Sequence, residues 1–230
     1  MAKVSFLAAQ VPAAPTYNWS FIDTTIGALD VGYVSTDAPG PGPAATGLQN
    51  VATSVLPRPI FQPQLGQRIR AWEPTLGFGE FIYLAVPTST TVPLGTVCTF
   101  ASSSSTSDYS YVILPAKGTS QKSGVPLGVC VASTVYNSGA GITSNTTSVQ
   151  YAWFQTGGKA QVLKTAVQVA PVATAGSAGV YVSGTAGRLY ITSSAGGQVL
   201  GGRLANSATV TSTASCVLVY LNGQPTLEEA

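Results

Sequence analysis

The sequence predicts an all-β protein. It reads as a compact β-barrel- or β-sandwich-like domain of short strands, preceded by a long Pro-rich extended N-terminal arm. Three observations carry this. From Ile69 onward, short runs of β-branched and aromatic residues are separated by Gly, Pro, Ser and Asn, the pattern of many short strands with turns between them. Eight of the fifteen prolines stand at 12, 15, 39, 41, 43, 57, 59 and 63. The best helical window, Ala195–Ser207, carries glycines at 196, 197, 201 and 202, each costing about 1 kcal/mol relative to Ala in a helix.

Residues 1–67 form the expected arm, and residues 68–230 the β-domain. Proline removes ladder donors and breaks helices, so a compact sheet is not expected in the arm. Pro39-Gly40-Pro41-Gly42-Pro43 predicts a loop or turn. Pro57-Arg58-Pro59-Ile60-Phe61-Gln62-Pro63 predicts an extended, semi-rigid segment. Tyr17-Asn18-Trp19-Ser20-Phe21-Ile22 alternates aromatic and polar residues. Such a segment docks by adding a strand to a neighbour's sheet, or packs on its own domain. Tyr17, Trp19 and Phe21 are therefore docking candidates.

In the β-domain the predicted strands cover 69–73, 79–86, 95–101, 109–115, 126–135, 149–156, 160–169, 179–184, 188–193 and 215–222. Leu76-Gly77-Phe78-Gly79-Glu80-Phe81-Ile82-Tyr83-Leu84 reads as a Gly-hinged entry into an aromatic strand. Tyr151-Ala152-Trp153-Phe154-Gln155-Thr156 reads as a strand with aromatics on both faces, stopped by Gly157-Gly158. Val92-Pro93-Leu94-Gly95 recurs 33 residues later as Val125-Pro126-Leu127-Gly128, which predicts one strand-entry turn used twice. Tyr83, Trp153 and Phe154 are the candidates for the core or a subunit interface.

The charge inventory weighs against catalysis and nucleic-acid binding. Charged residues are 8% of the chain and histidine is absent, against about 25% charged in a typical domain. The usual proton shuttle at physiological pH is therefore missing. A net charge of +2 falls short of the basic stripe that nucleic acid requires. Arg58, Arg68 and Arg70 cluster within thirteen residues. They read either as a solvated linker or as a fork-donor patch that docks an acidic or backbone-rich surface. A low-charge surface has little protection against association, which suits a protein covered by partners. Glu80, between Gly79 and Phe81, reads as a half-buried partner for an Arg or a backbone amide.

Cys98, Cys130 and Cys216 lie in β-branched runs. They read as buried free thiols, with one disulfide plus a free thiol as the alternative. Three cysteines without His make a poor zinc site, and no cofactor is expected. Gly157-Gly158-Lys159 lacks the first glycine and the hydroxyl of a phosphate loop. Asp23, Asp30 and Asp37 recur every seven residues without a calcium-loop frame. The apolar run after Met1 is too short for a secretory leader, and no run approaches the roughly 20 residues that span a bilayer. No membrane partner is expected.

Four segments together resemble a β-domain found among small virion proteins of tailed bacteriophages, the capsid decoration or cement (head-stabilisation) proteins. They are Gly77/Gly79/Glu80/Phe81/Tyr83/Leu84, Gly95/Val97/Phe100, Gly128/Val131/Ala132 and Tyr151/Trp153/Phe154/Gln155/Gly158/Ala160, and the resemblance covers roughly residues 70–222. It implies a homotrimeric structural protein on the virion's capsid exterior. Its partners would be the major capsid protein and its own copies, and it would stitch capsomers together. Docking is expected through Tyr17, Trp19, Phe21, Arg58, Arg68 and Arg70. The resemblance also implies a loop of small apolar residues near 195–207, where the glycines allow close backbone approach at an oligomer axis or within one chain. The alternatives are a phage fibre or baseplate-associated module, or a carbohydrate-binding β-module that stacks Tyr109, Tyr111 and Tyr136 on sugars. A Ser/Lys hydrolase and a main-shell protein rank below these.

Overall fold

The computed structural model describes residues 20–23, 27–30, 34–35, 65–73, 76–101, 112–116, 126–132, 141–143, 149–171, 179–191 and 197–228. Among them every regular element is a strand, so the protein is all-β there. The strands are β1 (Ser20–Asp23), β2 (Gly27–Asp30), β3 (Val34–Ser35), β4 (Arg68–Glu73), β5 (Gly77–Val86), β6 (Val97–Ala101) and β7 (Val112–Pro115). They continue with β8 (Leu127–Cys130), β9 (Gln150–Leu163), β10 (Gly179–Val182), β11 (Leu189–Tyr190), β12 (Gln198–Leu204) and β13 (Cys216–Glu228). Eleven of them share one antiparallel sheet, and β1 and β2 pair separately.

The long strand β9 organises this sheet. Its first part pairs with β5, from Val86 opposite Gln150 to Gly79 opposite Gly158. Its last part pairs with β13, from Leu221 opposite Gly158 to Cys216 opposite Leu163. The handover occurs at Gly157-Gly158, which the sequence marks as a stop. Gly158 has φ +85°, and a Cβ placed there would lie 2.1 Å from the Phe78 carbonyl oxygen. Only glycine combines this φ with so close a backbone approach. The ladder shifts register between Glu80 and Phe81, and the strand bends through this bulge instead of ending. The strands predicted over 149–156 and 160–169 are therefore one.

The loop that the resemblance implies near 195–207 is instead strand over Gln198–Leu204, an element not predicted from the sequence. Val199 and Leu204 are buried in the core of strand β12, while a register shift between Leu200 and Gly202 absorbs the glycines. The two-copy turn does not hold either. Gly95 sits in a turn at φ +78°, whereas Gly128 lies inside β8 opposite Cys98. Residues 16–38 contain no proline, and there β1 pairs with β2. The strand β3 joins the main sheet beside Tyr151 and Ala152 of β9.

Alternation along the strands fills three clusters. Ala160, Val162, Val217, Val219, Val199 and Leu204 belong to the largest, with an apolar cavity of about 10 Å³ between Leu127, Val180 and Leu221. That is about one water's space, and a cavity with apolar walls stays dry. Ile82, Leu84, Cys98, Cys130 and Phe154 form a second cluster. Phe81, Tyr83, Val131 and Trp153 form the third. The second and third draw on alternate residues of β5, so both of its faces are covered.

Candidate functional site

The hairpin of β4 and β5 presents the most distinctive exposed side chains. Among the described residues strand β4 pairs with β5 alone, and β1 lies beside it. Arg70 stands directly opposite Glu80. Its Nε donates to Glu80 Oε1 at 3.0 Å, and Nη2 approaches the same oxygen at 2.9 Å. The Arg70 side chain remains 74% exposed, so the pair contributes at most about 1 kcal/mol to folding. Arg68 is exposed two residues earlier on β4. Phe78 is 67% exposed and is the diagonal neighbour of Arg70 on the shared face. An exposed ring beside a held guanidinium is the side-chain chemistry enriched at binding hot spots.

Of the docking candidates, this surface holds Arg68 and Arg70. Tyr17, Trp19 and Arg58 lie outside the described residues. Phe21 sits in β1 opposite Leu29, where only its backbone is described. Reading the sequence did not single out Phe78, because one aromatic flanked by glycines looks like part of a strand entry until the register is known.

The aromatic candidates are interior within this one chain. Tyr83 and Trp153 stand opposite each other, with ring centroids 5.1 Å apart and tilted by 53°. Tyr151 also stacks with Tyr83, with centroids 6.3 Å apart and rings 21° from parallel. Phe154, the next residue after Trp153, is fully buried in the second cluster. The three candidates thus divide between two clusters, as neighbours on one strand must.

Beneath the hairpin, Gln155 supports the bulge. Its buried amide Nε2 donates to Gly157 O at 3.0 Å and to Lys159 O at 2.8 Å. Thr156 Oγ1 donates to Glu80 O at 3.4 Å. Replacing Gln155 with Leu keeps the bulk but orphans two carbonyls, so stability should fall by about 2–3 kcal/mol. Urea unfolding of Gln155→Leu checks this, and a loss below about 0.5 kcal/mol would show the bulge to be self-supporting.

Among the described residues the buried titratable side chains include Lys164 and three thiols. Lys164 is only 2% exposed and its Nζ donates to Val167 O at 2.7 Å and Thr165 O at 3.2 Å. Burial lowers its pKa, opposed by the neighbouring Cys216. None of the three thiols is in a disulfide, and all are buried. Burial pushes Cys216 up to about 12 against the pull of Lys164. Burial likewise pushes Cys130 up to about 12, against backbone hydrogen bonds at Ala132 and Ile142. Burial and then Cys130 raise Cys98 well above its ordinary value. Thiols held protonated in this way are inert. Among the described residues no group of three His, Cys, Asp or Glu side chains is placed to hold a metal ion, and no helix is long and apolar enough to cross a membrane. No protein-family model matches the chain, and no curated protein matches its sequence.

Proposed function

We propose that this chain is a structural virion protein, a capsid decoration or cement protein that binds the outer shell surface and stabilises contacts between capsomers. The observation that carries the reading is the β4–β5 hairpin, where Phe78 and the Glu80-held Arg70 stand exposed beside Arg68. An aromatic anchor with oriented guanidinium forks suits adhesion to a protein surface. The low charge of the chain suits a surface covered by partners. The resemblance of residues 70–222 supplies the shell as partner and the homotrimer as the working form. Three linked copies would add avidity without new chemistry. A barrel-like closure is part of the proposal. Val97 N donates to Gly187 O at 3.0 Å and Gly187 N donates to Ala116 O, which supports the end of the sheet at β11 returning to β6 and β7.

The test is size-exclusion chromatography with light scattering, with and without expanded phage capsids. A trimer that co-elutes with shells at fixed stoichiometry is the expected result. Phe78→Ser combined with Arg70→Glu should abolish co-elution while lowering folding stability by no more than about 1 kcal/mol. A monomer that ignores shells overturns the reading and favours a fibre-associated or sugar-binding module.

A further inference from the structure

A second row of side chains adjoins the β4–β5 hairpin and runs across the strands beyond it, beginning two residues after Gly157, which stands opposite Glu80. Lys159 of β9 stands opposite Tyr220 of β13, and Tyr220 opposite Arg203 of β12. Arg203 in turn stands opposite Gly179 of β10. Directly opposed residues share a face, so this row crosses four strands on one side of the sheet. Their sequence neighbours Ala160, Val219, Leu204 and Val180 belong to the core, which turns the row outward. Lys159 and Arg203 are exposed and Tyr220 is half-buried. The Arg203 guanidinium lies over the Tyr220 ring, 4.9 Å from its centroid. Tyr181 folds back over Gly179, so that a Cβ there would lie 3.1 Å from its hydroxyl oxygen. The face therefore reads Lys159, Tyr220, Arg203, Tyr181, with the two cations about 10 Å apart at the backbone.

We propose that this row is an interaction surface for a carboxylate-rich protein partner. The charge is complementary: the row itself carries two cations, while of the acids beside it Glu80, opposite Gly157, is engaged by Arg70 and Glu228 stands beyond Tyr181, opposite Gln198. Stacking on Tyr220 holds the Arg203 guanidinium in one plane, and a planar fork matches a carboxylate bidentately. Lys159 supplies a second, mobile ammonium for a neighbouring carboxylate. The rings themselves argue against a nucleic acid or a sugar. Those ligands stack on open aromatic faces, but Arg203 covers one face of Tyr220 and Tyr181 lies against its own backbone. What the tyrosines offer outward is hydroxyl and ring edge, the polar contacts enriched where proteins meet. Two cations are also too few for the phosphate neutralisation that drives nucleic-acid binding. The row shares no residue with the hairpin, and its test is read without shells.

The test is fluorescence anisotropy of labelled poly-L-glutamate titrated with the full chain at low ionic strength. The wild type should bind, and added salt should weaken binding. Lys159→Gln and Arg203→Gln should each weaken it about fivefold to tenfold, and Lys159→Glu with Arg203→Glu should abolish it. Arg203→Lys, which keeps the charge and removes the planar fork, should bind more weakly than wild type. Circular dichroism should show every variant folded, because both cations are on the surface. Poly-L-glutamate binding that survives the double reversal overturns the proposal. Equal binding of oligo-dT or heparin also overturns it, and assigns the face to a phosphate or sulfate polymer.

Discussion

Gly158→Ala should be among the most damaging single-methyl additions in this protein, with an expected loss of about 3–5 kcal/mol. Two costs combine at that position. A φ of +85° in a non-glycine residue costs about 1–2 kcal/mol. The added Cβ would also sit 2.1 Å from the Phe78 carbonyl oxygen and 3.0 Å from the Gly79 Cα. Those are backbone atoms of a paired strand, so they move only if the ladder moves. Gly158 is also where β9 exchanges β5 for β13, so relief of the clash weakens two pairings together. Gly77→Ala is the matched control. Its φ is +83° but nothing lies within 4 Å of the added carbon, so only the backbone cost applies, about 1–2 kcal/mol. Urea midpoints of the two variants decide the matter. Equal losses would show that the close approach carries no energy of its own and that Gly158 is there for its φ alone.

The same glycine shows how much of the fold the sequence makes legible. The strands β4, β5 and β6 announce themselves, because Arg68–Glu73, Gly77–Val86 and Val97–Ala101 are runs of strand-forming residues bounded by turn signals. A glycine pair is ambiguous. It reads as a stop when its pairing partners are unknown, and as a bulge once β5 and β13 occupy opposite ends of β9. Gly201-Gly202 in β12 misleads for the same reason, since Leu200 and Thr226 pair on one side of the shift and Gly202 and Leu221 on the other. The buried thiols are legible from their β-branched neighbours, which mark interior positions. Lys164 is not, because a lysine in a strand reads as solvated until the carbonyls of Thr165 and Val167 fold around it. Register is the missing quantity at the candidate sites too. Arg68 and Arg70 stand out by spacing alone, but Phe78 joins them only through the pairing of β4 with β5. Lys159, Tyr220 and Arg203 are separated widely in the chain and meet only because β9, β13 and β12 are neighbours.

Alkaline pH should unfold this protein through its interior thiols. Cys98, Cys130 and Cys216 are each 0% exposed, and burial holds the latter two at about 12, against an ordinary value of 9.0. Cys98 is also raised well above 9.0. Below pH 9 the thiols are protonated in both folded and unfolded chains, and their contribution is fully present. Above it the unfolded chain releases protons that the folded chain retains, so stability falls as pH rises through the folded values. Each proton is worth about 1.4 kcal/mol per pH unit, or about 4 kcal/mol per unit for three. Lys164 acts in the opposite sense. Its pKa in the fold is lowered from 10.5, so stability is regained as pH climbs from the folded value towards 10.5. One proton regained against three lost leaves a net fall of about 3 kcal/mol per unit up to pH 10.5 and about 4 beyond it. The fall sums to about 10 kcal/mol between pH 9 and 12, so a domain in the lower half of the usual 5–15 kcal/mol should unfold about two to three units above pH 9. Urea midpoints at successive pH values should fall along this slope, and replacing Cys130 with Ala should flatten it by about half up to pH 10.5 and by about a third beyond it. A midpoint that stays level up to pH 11 would mean that the thiols ionise inside the fold, and that the clusters around Cys98 and Cys130 admit water.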